Sequence, residues 1–328
     1  MDVHVASFRA GEIPGVTTHR LPTYGLGRLG YFIALVSLRR LFVSLRPDVV
    51  HAQYITSYGF LSAFAGMHPL VLTAWGTDVL ISPKESRLMQ WLASYAVTHA
   101  DAVTTVAKHM NASVAALGIA ESEVCAVPLG VDLQRFVPSM EGRGERGTLR
   151  LICTRNFAPI YDVGTLIAAL QRTAQRGLRL NVDLVGAGPL RPDLEAQVAR
   201  AGLTACVTFH GHVHHDRLAQ LLAQADLFVT PALSDGNNVS LNEAMACASF
   251  PIATDIPANA QWIEQGVNGL LYPQGDAAAL AECILRAAGA DAWRERAGRL
   301  NRGIVEQRAN WRACVERMNE IYARVTGR

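Results

Sequence analysis

Residues 231–247 read Pro-Ala-Leu-Ser-Asp-Gly-Asn-Asn-Val-Ser-Leu-Asn-Glu-Ala-Met-Ala-Cys. The apolar run Ala225–Thr230 ahead of them has the composition of a buried strand ending at Pro231. A polar turn containing Gly236 follows, and from Ser240 to Ala248 good helix formers predominate. Strand, glycine turn and helix start together make an anion site, because unpaired amides and the helix dipole converge on the turn. Two acids bracket it: Asp235 on the loop and Glu243 eight residues later. Carboxylates there suit neutral hydroxyls better than a phosphate. The stretch therefore reads as a cradle for a sugar nucleotide, with the backbone from Gly236 through Asn237, Asn238, Val239 and Ser240 meeting the pyrophosphate. Asp235 and Glu243 would meet sugar and ribose hydroxyls. The same residues also fit a capping box, with Ser240 as cap and Glu243 reaching back, and local pattern does not choose between the readings.

Outward from this motif, strands and helices alternate. In the second half they run as strand 149–154, helix 162–176, strand 181–185, helix 191–202, strand 207–210, helix 215–224, strand 225–230, the motif, and strand 250–254. Asn268 to Pro273 reads as a turn, and helices near 276–288 and 291–304 close this half. The first half gives strands at 3–8 and 16–22, helix 28–46, strand 47–52, helix 59–65, strand 69–74, helix 86–99, and strands at 102–106 and 124–128. Regular alternation implies α/β units with parallel sheets and ligands at the carboxyl ends of strands. Ser139–Gly147 is polar and glycine-rich, which is linker chemistry. The expected division is 1–138 as an acceptor-side Rossmann-like domain, 139–147 as linker and 148–306 as a nucleotide-sugar-binding Rossmann-like domain. Residues 307–328 form a closing amphipathic helix.

Composition narrows the class. Half of the 328 residues are hydrophobic and 18% are charged, enough for large, doubly covered sheets. A net charge of +2 is too small to argue for nucleic acid, and none is expected as a partner. Six cysteines lie far apart without a C-x-x-C pair, so neither a zinc site nor a disulfide framework is expected, and the protein reads as cytoplasmic. Met1–His4 lacks the pattern of a signal peptide. The apolar stretch Tyr31–Leu45 is interrupted by Arg39 and Arg40 and is too short to span a bilayer. It reads as a core helix with two solvated arginines; a basic helix lying on a membrane surface is the alternative.

Asp235-x7-Glu243, with Gly236 and the following Ala-Met-Ala, resembles the E-x7-E signature of family-4 retaining glycosyltransferases, whose fold is GT-B: two Rossmann-like domains facing across a cleft. Asp235 departs from the usual Glu by one methylene. The resemblance runs from about residue 48 to the C-terminus and more weakly before that. It implies an additional strand and glycine loop ahead of residues 3–8, so the first domain is expected to lack that strand and loop, and it implies a last helix that crosses back to the first domain. It also implies that Arg155, at a strand end, clamps the donor phosphates. Tyr161 stands where the family has a second cation, a Lys. Gly186 and Gly188, in Gly-Ala-Gly-Pro, match the turn beside the nucleotide base, with glycine permitting close approach to the ligand. On the acceptor side, His51, Trp75 and Asp78 come from adjacent strand ends. Trp75 replaces a family His but can stack on a sugar ring, and Asp78 is the expected polar or general-base group, or else the N-cap of the helix after it. The alternating histidines 210, 212, 214 and 215 lack a ligand pattern, and no metal is expected.

The expectation is a metal-independent retaining glycosyltransferase with no cofactor beyond a nucleoside-diphosphate sugar as co-substrate. Asp78, Arg155 and Asp235 are the expected catalytic residues. The acceptor is a glycan or lipid-linked glycan, the setting is bacterial cell-surface polysaccharide synthesis, and peripheral contact with the inner membrane face is compatible. Two rivals stay open: a nucleotide-sugar epimerase on the same fold, and a glycosyltransferase relic that binds without turnover.

Overall fold

The computed structural model describes residues 2–9, 11–22, 30–139 and 148–327, without the side chains of Tyr31 and Phe32. The glycine-rich stretch 140–147 and residues 28–29, where the pattern starts the first helix, lie outside the described residues. The chain divides into two units, Met1–Val127 with Arg317–Arg328, and Pro128–Glu316.

The second unit carries six strands: β7 (Leu149–Cys153), β8 (Leu180–Val185), β9 (Val207–Gly211), β10 (Leu227–Thr230), β11 (Phe250–Thr254) and β12 (Leu270–Tyr272). The first unit, taken below, holds β1 to β6. All neighbours in the six-stranded sheet are parallel, in the order β12-β11-β10-β7-β8-β9. Helices α7 (Val163–Gln175), α8 (Arg191–Arg200) and α12 (Ala277–Ala288) cover one face, and α9 (His215–Gln224) and α10 (Val239–Ala246) the other. Strand residues alternate accordingly. Leu151 and Cys153 join one core while Ile152 joins the other, and Leu227 and Val229 oppose Phe228. Every residue of β10 and β11 is buried, the mark of central strands covered on both sides. Winding proceeds one way from β7 to β9 and the other way from β10 to β12, so the β7/β10 boundary is the topological switch point.

Residues 270–272, read as part of a turn, instead form the edge strand β12, paired with β11 from Ile252↔Leu270 to Thr254↔Tyr272. Asn268-Gly269 does signal a turn, but the three paired residues after it are too few for a periodic pattern. Residues 128–138, placed with the first domain by the sequence, pack on the second unit. Helix α13 (Asp291–Arg308) holds them there through Arg302, which donates to the carbonyls of Leu133 and Phe136, and Val131 donates to Ala309 O.

The first unit contains a parallel pair, β1 (His4–Ser7) and β2 (Thr17–Arg20), and a separate four-stranded parallel sheet. That sheet runs in the order β3 (Val50–Gln53), β4 (Leu70–Ala74), β5 (Ala102–Thr105) and β6 (Val124–Ala126). A π-helical turn Tyr54–Gly59 leads into α2 (Phe60–Phe64), and short helices α3 (Thr77–Leu80) and α4 (Ser82–Glu85) precede α5 (Arg87–Thr98). Ser86 caps α5 by accepting from Met89 N. Two short helices, α6 (Asn111–Ala115) and α11 (Pro257–Ala260), complete the set with α14 (Trp311–Thr326).

Helix α1 (Gly30–Leu45) is not the core helix its apolar composition suggests. Among its described side chains Ala34 is the buried one, whereas Val36, Arg39, Arg40 and Val43 are exposed along one stripe. Apolar residues surround the helix on all sides, so contact on one side leaves others facing out.

Candidate active site

Arg155 leaves the end of β7 and is only 8% exposed. Its Nε donates to Thr230 Oγ1 at 2.9 Å, Nη1 lies 3.0 Å from Asp235 Oδ2, and the guanidinium sits 5.4 Å from the Tyr161 ring centroid. Both strands of the switch point thus hold one cation. Its Nη2 is buried with no hydrogen-bond partner among the described residues. Such a donor is costly unless something outside the chain accepts from it. Thr154 Oγ1 and both polar side-chain atoms of Asn237 and of Asn242 are buried and likewise unpartnered among the described residues.

The capping box is not formed. Asn238 is the N-cap of α10: its Oδ1 accepts from Leu241 N at 3.0 Å, while the Ser240 hydroxyl donates to Thr154 O at 3.3 Å. The helix starts at Val239, so Glu243 stands fifth and is too far along to reach back over the cap. Its carboxyl is nearly buried, and burial pushes its pKa from 4.5 up to about 7, against the opposing pull of Arg155.

Asn238 does more than cap. Its Nδ2 donates to Asn259 Oδ1 at 2.8 Å and, more weakly, to Thr230 Oγ1 at 3.4 Å. Asn259 donates to Thr254 O at 2.9 Å, and the Thr254 hydroxyl to Ala232 O at 2.6 Å. These bonds tie the carboxyl ends of β7, β10 and β11 into one buried network. Thr230 and Thr254 at strand ends and Asn259 in the short helix α11 were not singled out in the sequence; as common polar residues they carry no pattern.

Gly186 and Gly188 act on Arg155 from beside it. A Cβ on Gly186 would stand 2.1 Å from Arg155 O, and one on Gly188 2.4 Å from Phe157 O. Phe157 N donates to Ala187 O at 3.0 Å. The close approach that these glycines permit is to the chain's own backbone, seating the loop that carries Arg155. Of the histidines nearby, His210 pairs with Asp183 at 2.6 Å and His214 with Asp216 at 3.3 Å. Among the described residues no three metal-ligating side chains gather.

In the first unit, Asp78 is 1% exposed and neither caps α3 nor stands free. Its Oδ2 accepts from Ile55 N at 2.8 Å, and its Oδ1 from Trp75 N at 3.0 Å and Gly76 N at 2.8 Å. A carboxylate so engaged clamps the turn after β3 to the turn after β4, and proton transfer is a poor use for it. His51 is likewise committed, through Nδ1 to the Tyr322 hydroxyl and through Nε2 to Thr73 Oγ1, both at 2.6 Å. Thr104 donates to Leu72 O, so the bond between Thr73 and Thr104 runs from Thr73, and Thr73 accepts from His51 Nε2–H. Tyr322 therefore donates to Nδ1. Burial lowers the His51 pKa to about 4, keeping the ring neutral. Trp75 Nε1 donates to Gln53 Oε1 at 2.7 Å, and its ring lies near-parallel to that of Tyr54. Tyr54 also went unnoticed in the sequence, where nothing marks it.

Solved structures share this architecture. Over 98% of this chain and 91% of the other, Anabaena Alr3699/HepE in complex with UDP-glucose superposes with a TM-score of 0.81 at 19% identity. Sucrose-phosphate synthase from Thermosynechococcus elongatus gives 0.79 at 22% identity, over 97% and 85% of the two chains. The fold is that of the GT-B glycosyltransferases. Residues 148–289 match the family model for glycosyl transferases group 1, and residues 1–107 that for glycosyl transferase 4-like domains. Both matches are to glycosyltransferase families, and together they take in most of the chain. Among curated relatives, the amylovoran biosynthesis glycosyltransferase AmsK of Erwinia amylovora is 27% identical over 52% of this chain and 43% of its own length. The uncharacterized glycosyltransferase MJ1178 of Methanocaldococcus jannaschii is 24% identical over 96% and 87%.

Proposed function

We propose that the chain is a retaining, metal-independent glycosyltransferase that moves a sugar from a nucleoside diphosphate to an acceptor hydroxyl. The observation that carries this reading is Arg155, fixed at the switch point on three sides with one buried nitrogen left unpartnered. A diphosphate oxygen is the ligand such a nitrogen suits. When the donor's anomeric bond breaks, negative charge grows on the leaving diphosphate, and a pre-placed guanidinium with the α10 dipole stabilises it. Glu243, protonated for part of the time near neutrality, can donate to or accept from a donor hydroxyl. Asn237, with both side-chain polar atoms unpartnered, supplies further hydrogen bonds. Asp235 is assigned to positioning Arg155, and Asp78 to positioning the acceptor-side turns.

AmsK is named for amylovoran biosynthesis, and HepE was solved with UDP-glucose. The first favours a role in glycan biosynthesis and the second a nucleotide-sugar donor, and the reading extends to assembly of a bacterial surface polysaccharide on the cytoplasmic side of the membrane. Calorimetric titration of UDP, GDP and their glucose and mannose derivatives into wild type, Arg155→Ala and Glu243→Ala tests the reading. One nucleotide class is expected to bind wild type with micromolar-to-millimolar affinity and to lose at least tenfold in Arg155→Ala. Binding of none, or equal binding by all three proteins, would overturn it.

A further inference from the structure

We infer that Tyr54, Trp75 and Gln53 form a platform for a pyranose ring of the acceptor, the two aromatic rings taking its C–H face and the Gln53 amide a hydroxyl. The inference rests on the transferase reading for the word acceptor, but the platform itself stands on the first unit's geometry.

Tyr54 and Trp75 follow the carboxyl ends of the adjacent parallel strands β3 and β4, the edge at which open α/β sheets bind ligands. Their rings are inclined by 12° with centroids 6.5 Å apart, and Tyr54 is 40% exposed. Two near-parallel aromatic faces at a strand edge match the flat, apolar C–H faces of a sugar ring, and burying them there removes apolar surface from water.

The orientation of Gln53 follows from chemistry. Trp75 Nε1 can only donate, so the Gln53 atom 2.7 Å away is the carbonyl oxygen. The amide NH2 then points elsewhere, has no partner among the described residues and is not buried. It is a donor beside an aromatic surface, the pairing of apolar face and fixed polar group that recognises a carbohydrate.

Backbone strain marks the same spot. Tyr54 has φ 74°, a left-handed conformation that a bulky side chain adopts at a cost. A turn of π-helix begins at this residue, and a Cβ on Gly59 would stand 3.0 Å from Tyr54 O, so glycine makes room for the turn. Asp78 then holds the arrangement, since its three bonds join the Ile55 amide to those of Trp75 and Gly76. Asn or Gly would occupy position 54 with less strain. Asp78 is here a positioning residue.

Saturation-transfer-difference NMR of methyl α- and β-D-glucopyranoside, galactopyranoside and mannopyranoside tests the platform, with the open-chain polyol sorbitol as control. At least one glycoside is expected to show transfer concentrated on the C–H protons of one ring face. That signal should fall at least fivefold in Trp75→Ala and in Tyr54→Asn and persist in Arg155→Ala. Tyr54→Asn should melt no lower than wild type, because it relieves the backbone, so loss of signal there cannot be ascribed to unfolding. No ring-face transfer from any glycoside, transfer equal to that of sorbitol, or signals unchanged in both variants would overturn the platform. UDP and GDP titrations on the same proteins separate the two ideas: nucleotide binding without sugar contact defeats the platform alone, and sugar contact without nucleotide binding defeats the donor reading alone.

Discussion

Asp235 Oδ2 stands 3.0 Å from Arg155 Nη1, and both side chains are largely shielded from water. The acid of the D-x7-E motif is therefore bonded to the very cation that the sequence sets apart as a phosphate clamp. Removing one partner of a shielded pair costs more than removing both, because the survivor keeps its charge with nothing to answer it. Asp235→Asn is expected to lose about 3 kcal/mol, and the Asp235→Asn, Arg155→Met double variant less than the sum of the two single changes. Urea unfolding of all four proteins checks this, and additive losses would show that the pair is not coupled.

Glu243 gives stability a pH dependence with a definite sign. Its folded pKa, about 7, lies above the unfolded 4.5, so the folded chain holds a proton there that the unfolded chain has released. The contribution is full below pH 4.5 and lost as pH rises through 7, a span of about 3 kcal/mol. Melting curves from pH 5 to 8.5 should therefore fall less steeply toward high pH in Glu243→Gln than in wild type.

His51 works in the opposite direction. Its folded pKa, about 4, lies below the unfolded 6.5, so the unfolded chain takes up the proton first as pH falls. Its contribution is full above pH 6.5 and disappears through pH 4, again about 3 kcal/mol at most. The ring is tied to Tyr322, so amides 317–326 of α14 should exchange hydrogen faster at pH 5 than at pH 7 after correction for intrinsic rates. Tyr322→Phe should raise exchange at pH 7 and leave a smaller difference between the two conditions.

Glycine substitutions separate close approach from backbone freedom. Gly186→Ala drives a methyl group to 2.1 Å from Arg155 O, so the Arg155 loop must move. Nucleotide affinity and melting temperature should fall together. At Gly177, φ is +81° and nothing lies within 4 Å of an added Cβ. Gly177→Ala should cost about 1 kcal/mol of stability and leave nucleotide binding unchanged.

Legibility in the sequence followed the range of the interactions. The strands of the second unit were readable because runs such as Leu227–Val229 are apolar throughout, and the helices because their periodicity spans several turns. The edge strand 270–272 is too short for either signal. Asp235 and Glu243 could be found from their spacing, but the partner of Asp235 lies 80 residues away, and Glu243's burial depends on elements that no local pattern describes. Asp78 looked like a cap or a base because an acid after a strand commonly is one. Its three amide bonds reach back to Ile55, which only the pairing of β3 with β4 brings near. Tyr54 was invisible for a related reason, since a left-handed tyrosine leaves no trace in composition.

The bonds joining Arg155, Thr230, Asn238, Asn259, Thr254 and Ala232 bear on how such a protein can change over generations. Each of these polar side chains is buried and leans on the next, so an exchange at 230, 238, 254 or 259 strands a neighbour unless a second exchange accompanies it. The side chains of Leu233 and Ser234, on the same loop, take no part and reach solvent. A lineage altering this loop therefore has single-step routes along the rim and none through the wall, and a library meant to vary it is best drawn at the rim.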